Sequence, residues 1–428
     1  MTRAKTDCDL LTSVQVPIAT VSAAFEPDKD QVLFSRAHYS MANAVFIAAL
    51  MNHKTSWLFD PTNFVSADKW GKVVFTEKVG QLIARHPLLK DIKDLTDTRA
   101  RNKLPLTDAI KQPLLENFKN VTQPIISLHY EAGNILIQQN HTVLQVVTDP
   151  HVRPQYLIHV KNPNLYYAVF DNKTKTELIE KAYTLQNFKL PLNRIFVTGA
   201  PVDPRIEKKD KNRTIRAFKK RPLRLTITTG GLGTNKPEIE ALLPKLVPLL
   251  KQNQIQLALY TGTHPDFLEM YQDFAQKHQL KLNNNLKKID SKTPLILVHD
   301  NNIVDLNNLL IDHIFPWADG FITKPSGDMA YEAIAAGCFL LTLEPWGEWE
   351  ENIRQHFEEL GLSRRLDHQH PAEQITALKT IPITQSKPWI QLALEKAHQL
   401  QQSLSQGSLN IIKAHHQIIH LPSLPQLN

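Results

Sequence analysis

Two glycine-bearing loops hold the residues best suited to chemistry. In "TTGGLGTNKPEIEALL", Thr229, Gly230, Gly231, Leu232 and Gly233 lie between an apolar run and a helical pattern whose first turn takes Pro237. Glycines placed there let backbone N–H groups close on a diphosphate. The spacing is not that of the dinucleotide fingerprint, and no acidic residue is suitably placed for it. The alternative is a plain tight turn. The second loop opens "KPSGDMAYEAIAAGCFLLTLEPWGEWEEN", residues 324–352, just past the apolar run 320–323. Pro325-Ser326-Gly327-Asp328 is turn chemistry, 329–336 reads as a buried helix closed by Gly337, and 338–343 as a buried strand. Lys324, Ser326 and Gly327 therefore stand where a strand hands over to a helix, and unpaired N–H groups at a helix start suit phosphate. An ordinary capped α/β crossover would read the same way. Neither loop offers an Asp-x-Asp pair or metal-ligand spacing, so no metal and no cofactor is expected beyond the substrates themselves.

These loops need strands to carry them. Short apolar runs alternate with helical patterns along the whole chain, at 31–35, 56–60, 124–128, 143–148, 165–170 and 194–198, then 223–229, 255–260, 295–299, 320–323 and 338–343. Helical patterns lie between most of them, for example at 237–251 and 265–278. Buried runs alternating with helices predict parallel sheets covered on both faces. Two such sets predict an α/β protein of two doubly wound Rossmann-like domains facing a central cleft. The first occupies 1–204 and the second 223–385. A basic linker at 205–222 joins them, and C-terminal helices and a tail fill 386–428. An amphipathic helix over 388–404 presents Ile390, Leu394, Ala397, Leu400 and Leu404 on one face.

Composition narrows the class. The 428 residues are 42% hydrophobic and 21% charged, as in a soluble globular protein large enough for two cores. The two cysteines, Cys8 and Cys338, form no disulfide framework, which points to a reducing compartment. No run of about 18 apolar residues appears. Arg3 and Lys5 followed by residues 10–25 mimic a secretion leader, but Asp7 and Asp9 interrupt it and polar residues dilute its centre. Residues 205–224 carry a net +8 against +7 for the whole chain, which leaves −1 for the rest. Basicity confined to one segment argues against a nucleic-acid surface across the fold.

The two loops, taken with residues 344–352, resemble the C-terminal half of GT-B nucleotide-sugar glycosyltransferases. The likeness is to the branch holding the diacylglycerol glycosyl synthases and the peptidoglycan-lipid N-acetylglucosaminyltransferase. Lys324 and Glu332 keep that branch's lysine-to-glutamate spacing, and the resemblance implies that Glu332 grips the ribose hydroxyls, since a carboxylate accepts two hydrogen bonds from a vicinal diol. The branch's Gly-Gln-Glu or Gln-Gln group and the asparagine after it, which contact the donor sugar, correspond to Gly347, Glu348, Trp349 and Asn352. The glutamine has become glutamate and the acid tryptophan. "VVTDPHVRPQYL" resembles the first-half motif Thr-Asp followed by His-Pro, with Arg153 where histidine is usual and His151 two places earlier. "RIFVTGAPVDP" resembles the Thr-Gly-x-Pro-Val that closes that half. In "FSRAHYSMANAVF", His38, Ala42 and Ala44 are kept, while Arg36-Ala37 replaces the glycines.

The resemblance implies inverting, metal-independent transfer of a hexose from a UDP-sugar to an acceptor hydroxyl. His38, at the tip of the first strand, would take the acceptor proton. Asp149 is the rival base, or the group that orients His38, and Asp-Pro is equally a turn starter. Arg36, His151 and Arg153 are candidate acceptor or phosphate contacts. By analogy the acceptor is lipid-linked, with the basic linker on an anionic membrane surface and the protein cytoplasmic, peripheral on the inner face. A degenerate nucleotide-sugar-binding protein without turnover, or a UDP-sugar epimerase of the same fold, are the alternatives.

Overall fold

The computed structural model describes residues 14–22, 36–75, 105–209, 221–230 and 233–421. The chain divides into two units, 1–204 with 406–428, and 205–405.

The first unit contains β1 (Val16–Ala19), α1 (Arg36–Met51), β2 (Ser56–Phe59), α2 (Pro105–Phe118), β3 (Ile125–Ser127) and α3 (Tyr130–Gln138). It continues with β4 (Val143–Val146), β5 (Leu165–Val169), α4 (Asn172–Gln186) and β6 (Ile195–Val197). All neighbours pair in parallel, in the order β2-β1-β3-β4-β5-β6. Ile18, Ile125, Val143 and Tyr167 are wholly buried within it. Local signals end its helices. Asp171 caps α4 by accepting from the Thr174 N–H at 2.7 Å, and Asn187 closes it in the left-handed region at φ 47°.

The strand expected at 31–35 lies outside the described residues. The strand that holds the sheet's second place is "VPIA" at Val16–Ala19, inside the stretch that mimics a leader. All four of its residues are buried, so its sequence is continuously apolar rather than alternating.

α5 (Pro204–Lys209) opens the basic segment, whose residues 210–220 lie outside the described set. The second unit then runs β7 (Leu223–Ile227), α6 (Lys236–Lys251), β8 (Ile255–Tyr260), α7 (Pro265–His278), β9 (Leu282–Asn283), β10 (Leu295–Val298) and α8 (Ile303–Leu309). It ends with β11 (Gly320–Thr323), α9 (Met329–Ala335), β12 (Phe339–Thr342), α10 (Glu348–Glu359), β13 (Ser363–Arg365), α11 (Pro371–Lys379) and α12 (Trp389–Leu404). Its sheet is also parallel, in the order β13-β12-β11-β7-β8-β10-β9. α6 buries Ile239, Leu242, Leu243, Leu246, Leu249 and Leu250, the three-and-four spacing of one helical face. The helix expected at 388–404 is α12, with Ile390, Leu394 and Ala397 buried as expected and Leu400 and Leu404 half-buried.

A last helix, α13 (Gly407–Ile419), belongs to the first unit and packs on α1. Ser408 Oγ donates to the Val202 carbonyl at 2.7 Å, Asn410 Nδ2 to Thr198 O at 3.0 Å, and the buried His415 Nε2 to Pro124 O at 2.7 Å. No described helix is long and apolar enough to cross a membrane.

Candidate functional site

In a doubly wound parallel sheet, ligands bind beyond the carboxyl ends of the strands where the strand order reverses. In the second unit that point lies between β7 and β11, because the chain runs from β7 outward to β8 on one side and β11 fills the other. The two strand ends are tied together there. Thr228 donates its N–H to Ile322 O at 3.0 Å and its hydroxyl to Thr323 Oγ1 at 2.7 Å. Each strand is then followed by one of the two loops singled out in the sequence.

The loops touch. The stem of Lys324 lies over Gly230 so closely that a Cβ on Gly230 would stand 2.1 Å from Lys324 Cε. Any larger residue there would displace the flexible end of Lys324. The ammonium of Lys324 reaches Glu350 Oε1 at 2.5 Å, and Glu350 Oε2 accepts from the Trp346 N–H at 2.7 Å. Both charged side chains are largely withdrawn from water, at 13% and 3% exposure. Trp346 and Trp349 meet edge to face at 5.9 Å, and the Trp349 ring lies across Gly347. Glu348 is exposed, and Trp349 and Asn352 are half-buried on α10.

Further contacts brace this edge. Glu238, in the first turn of α6, accepts from the Glu344 N–H at 3.0 Å and from Asn235 Nδ2 at 2.5 Å. Burial pushes its carboxyl up from the ordinary range. After β8, His264 Nε2 stands 3.4 Å from Gly230 O. Gly230 and Gly233 are described, with Gly233 at φ 62°, whereas Gly231 lies outside the described residues. Ser326 Oγ donates to Asp328 Oδ1 at 2.7 Å, so this hydroxyl is engaged within its own turn, and Gly327 is buried beside it. Glu332 lies in the first turn of α9 and is only 2% exposed.

The same reversal occurs in the first unit between β1 and β3. His38, the third residue of α1, lies there, and its carbonyl accepts from Thr20 Oγ1 at 3.2 Å just past the end of β1. His38 Nδ1 is 3.2 Å from the Leu128 carbonyl just beyond β3. A carbonyl only accepts, so Nδ1 carries a proton, and in the neutral ring Nε2 is the nitrogen that can act as a base. The His38 ring meets His129 edge to face at 4.8 Å, and His129 Nδ1 caps α3 by accepting from the Glu131 N–H at 3.2 Å. Arg36 is buried at the start of α1.

Beyond β4, Asp149 pairs with Arg153 at 3.5 Å, and His151 Nδ1 lies 3.2 Å from Glu177. Burial opposes the charge of Glu177, but hydrogen bonds from His151 and Lys181 outweigh it and hold the carboxyl at about 2. Tyr156 braces the same loop, its hydroxyl 3.2 Å from the Thr148 N–H. Burial first, and then the Asp149 charge, push that phenol up to about 12.

Sequence reasoning passed over His129 and Glu350. The signal for Glu350 was present: it shares a three-and-four spacing with Ile353 and Phe357, the buried face of α10.

A family model described as a domain of unknown function (DUF6938) matches residues 191–334. No curated protein matches the chain. Among solved structures, the glycotransferase of kitacinnamycin is 13% identical, covering 95% of this chain and 99% of that one with a TM-score of 0.50. The UDP-GlcNAc 2-epimerase from Neisseria meningitidis bound to UDP-GlcNAc is 14% identical over 94% and 100%, with a TM-score of 0.53. An Os79 variant from O. sativa in complex with UDP is 10% identical over 94% and 100%, with a TM-score of 0.52. Two parallel-sheet α/β units of the GT-B kind are thus the fold of this chain.

Proposed function

We propose that the chain moves a hexose from a UDP-sugar to an acceptor hydroxyl, with inversion and without a metal. The observation that carries this reading is the meeting of Gly230, Lys324 and the Trp346–Trp349 arm where the strand order of a doubly wound sheet reverses. A lysine ammonium and backbone N–H groups suit a leaving diphosphate, with Gly230, Gly231, Gly233, Ser326 and Gly327 supplying the close approach. Glu332 is the proposed ribose contact, and Glu348, Trp349 and Asn352 the sugar contacts. Tryptophan covers an apolar sugar face while a carboxylate holds hydroxyls. The solved structures of like fold bound to UDP and to UDP-GlcNAc support the donor class.

In the first unit His38 is the proposed base, because it lies where the strand order reverses and its Nδ1 is oriented by the Leu128 carbonyl. Asp149, Arg153 and His151 are tied into ion pairs that shape the loop after β4, which favours a supporting role. By the resemblance, the acceptor is lipid-linked and the protein works on the inner membrane face.

An epimerase is the second reading, favoured by the likeness to the Neisseria meningitidis enzyme. A thermal-shift panel of UDP-sugars against the purified protein, followed by product analysis with the best of them, tests both. Transfer to an added glycolipid precursor, unaffected by EDTA, is the expected result. Conversion of UDP-GlcNAc to its epimer would replace it with the second reading. Donor binding with neither product would leave a binding protein without turnover.

A further inference from the structure

α10 begins with acids at 348, 350 and 351, and Glu350 is the one of the three that is buried. Both of its oxygens are engaged, one by the Lys324 ammonium and the other by the Trp346 N–H. A buried ion pair is a poor way to stabilise a fold, because taking two charges out of water costs about as much as their attraction returns. An apolar pair would hold the loops as well. This ion pair lies at the carboxyl edge of the sheet, where a ligand is received, and not in the body of the unit. One carboxylate there fixes two things: the point above Gly230 at which the ammonium stands, and the start of the segment that carries Trp346 and Trp349.

We infer that Glu350 is a positioning residue for the nucleotide-sugar donor. It holds Lys324 ready for the diphosphate and, through the Trp346 N–H, sets the tryptophan arm for the sugar, so a single acid aligns the leaving group with the group transferred. This rests on the donor reading above.

The test uses the full chain. The acetylation rate of Lys324, followed by peptide mapping, reports the ion pair without nucleotide. Calorimetry with UDP and with uridine reports its use. Relative to the parent, E350A and E350Q acetylate Lys324 at least ten-fold faster, while E350D, which keeps the charge, recovers part of the protection. E350Q and K324A each weaken UDP at least ten-fold and leave uridine unchanged, and the double variant is no weaker than K324A alone. E350Q preserves side-chain volume, so the result stands even where E350A fails to fold. Unchanged acetylation, or parental UDP affinity in folded E350Q, overturns the inference. A parent protein that binds no UDP instead overturns the donor reading, and this inference with it.

Discussion

Glu332 has 2% of its surface in water, yet the role proposed for it is to accept hydrogen bonds from a ribose diol. Such contacts are strong once made, because the acceptor is ionised and shielded from competing water. Glu332→Ala should therefore remove most of the rise in melting temperature that UDP gives the parent, a loss of about 1.5–3 kcal/mol of binding. The 2′-deoxy analogue of UDP should already lack part of it in the parent. If a folded variant keeps parental UDP affinity and only its own melting temperature falls, Glu332 belongs to the core. At this scale the sequence displayed residue types well and their partners poorly. Lys324 stood out beside a turn, but the acid that holds it sits 26 residues on, in a run of glutamates that looks solvated. Only the spacing to Ile353 and Phe357 turns Glu350 inward.

At the scale of elements, long periodic segments were legible. α6, α7 and α12 fall within a residue of their expected bounds, because a buried helical stripe repeats often enough to be read. The short pieces were not. β9 is two residues, and β13, "SRR", has two exposed arginines, so neither displays an apolar run. β1 is four apolar residues, one of them a proline, inside the stretch that imitates a leader. α13 lies within the stretch read as C-terminal helices and a tail, without bounds of its own, and it carries a testable charge. Burial pushes the pKa of His415 down to about 4, against the opposing pull of its bond to Pro124 O. Between about 6.5 and 4 the unfolded chain binds a proton there that the folded chain refuses, so stability falls as pH falls through that window. The full difference is about 3 kcal/mol. Urea unfolding at pH 7.5 and 4.5 checks it: H415Q, which keeps a donor for Pro124 O and cannot titrate, should lose much less stability than the parent. Equal losses would place the acid sensitivity elsewhere.

At the scale of the whole molecule, charge and connectivity matter more than any side chain. The net +8 of residues 205–224 is partly committed within the second unit: Arg221 grips both oxygens of Asp319 at 2.7 and 2.8 Å, and Arg205 donates to Asn308 at 3.3 Å. The lysines at 208, 209, 219 and 220 are the ones to test. If the acceptor is a membrane lipid, each contributes about 1 kcal/mol near an anionic surface, an attraction that fades over a Debye length of about 8 Å. Replacing all four with glutamine should abolish sedimentation with anionic vesicles and leave neutral vesicles unaffected. Equal binding by both proteins would make the segment a solvated hinge. Connectivity sets a different constraint. The first unit is interrupted by the whole of the second and is finished only by α13, whose Gly407 lies so close to the chain at Ala200 that a Cβ would meet the carbonyl at 1.8 Å. A domain that folds from its N-terminus during synthesis normally completes first. Here the order is inverted: the ribosome releases every residue of the second unit before the first can close. Removing residues 407–428 should leave a protease-resistant core over 205–405 and expose 1–204 to cleavage, with equal resistance of both units as the contrary result. A stop codon at Gly407 would thus strike the part of the protein that was made first.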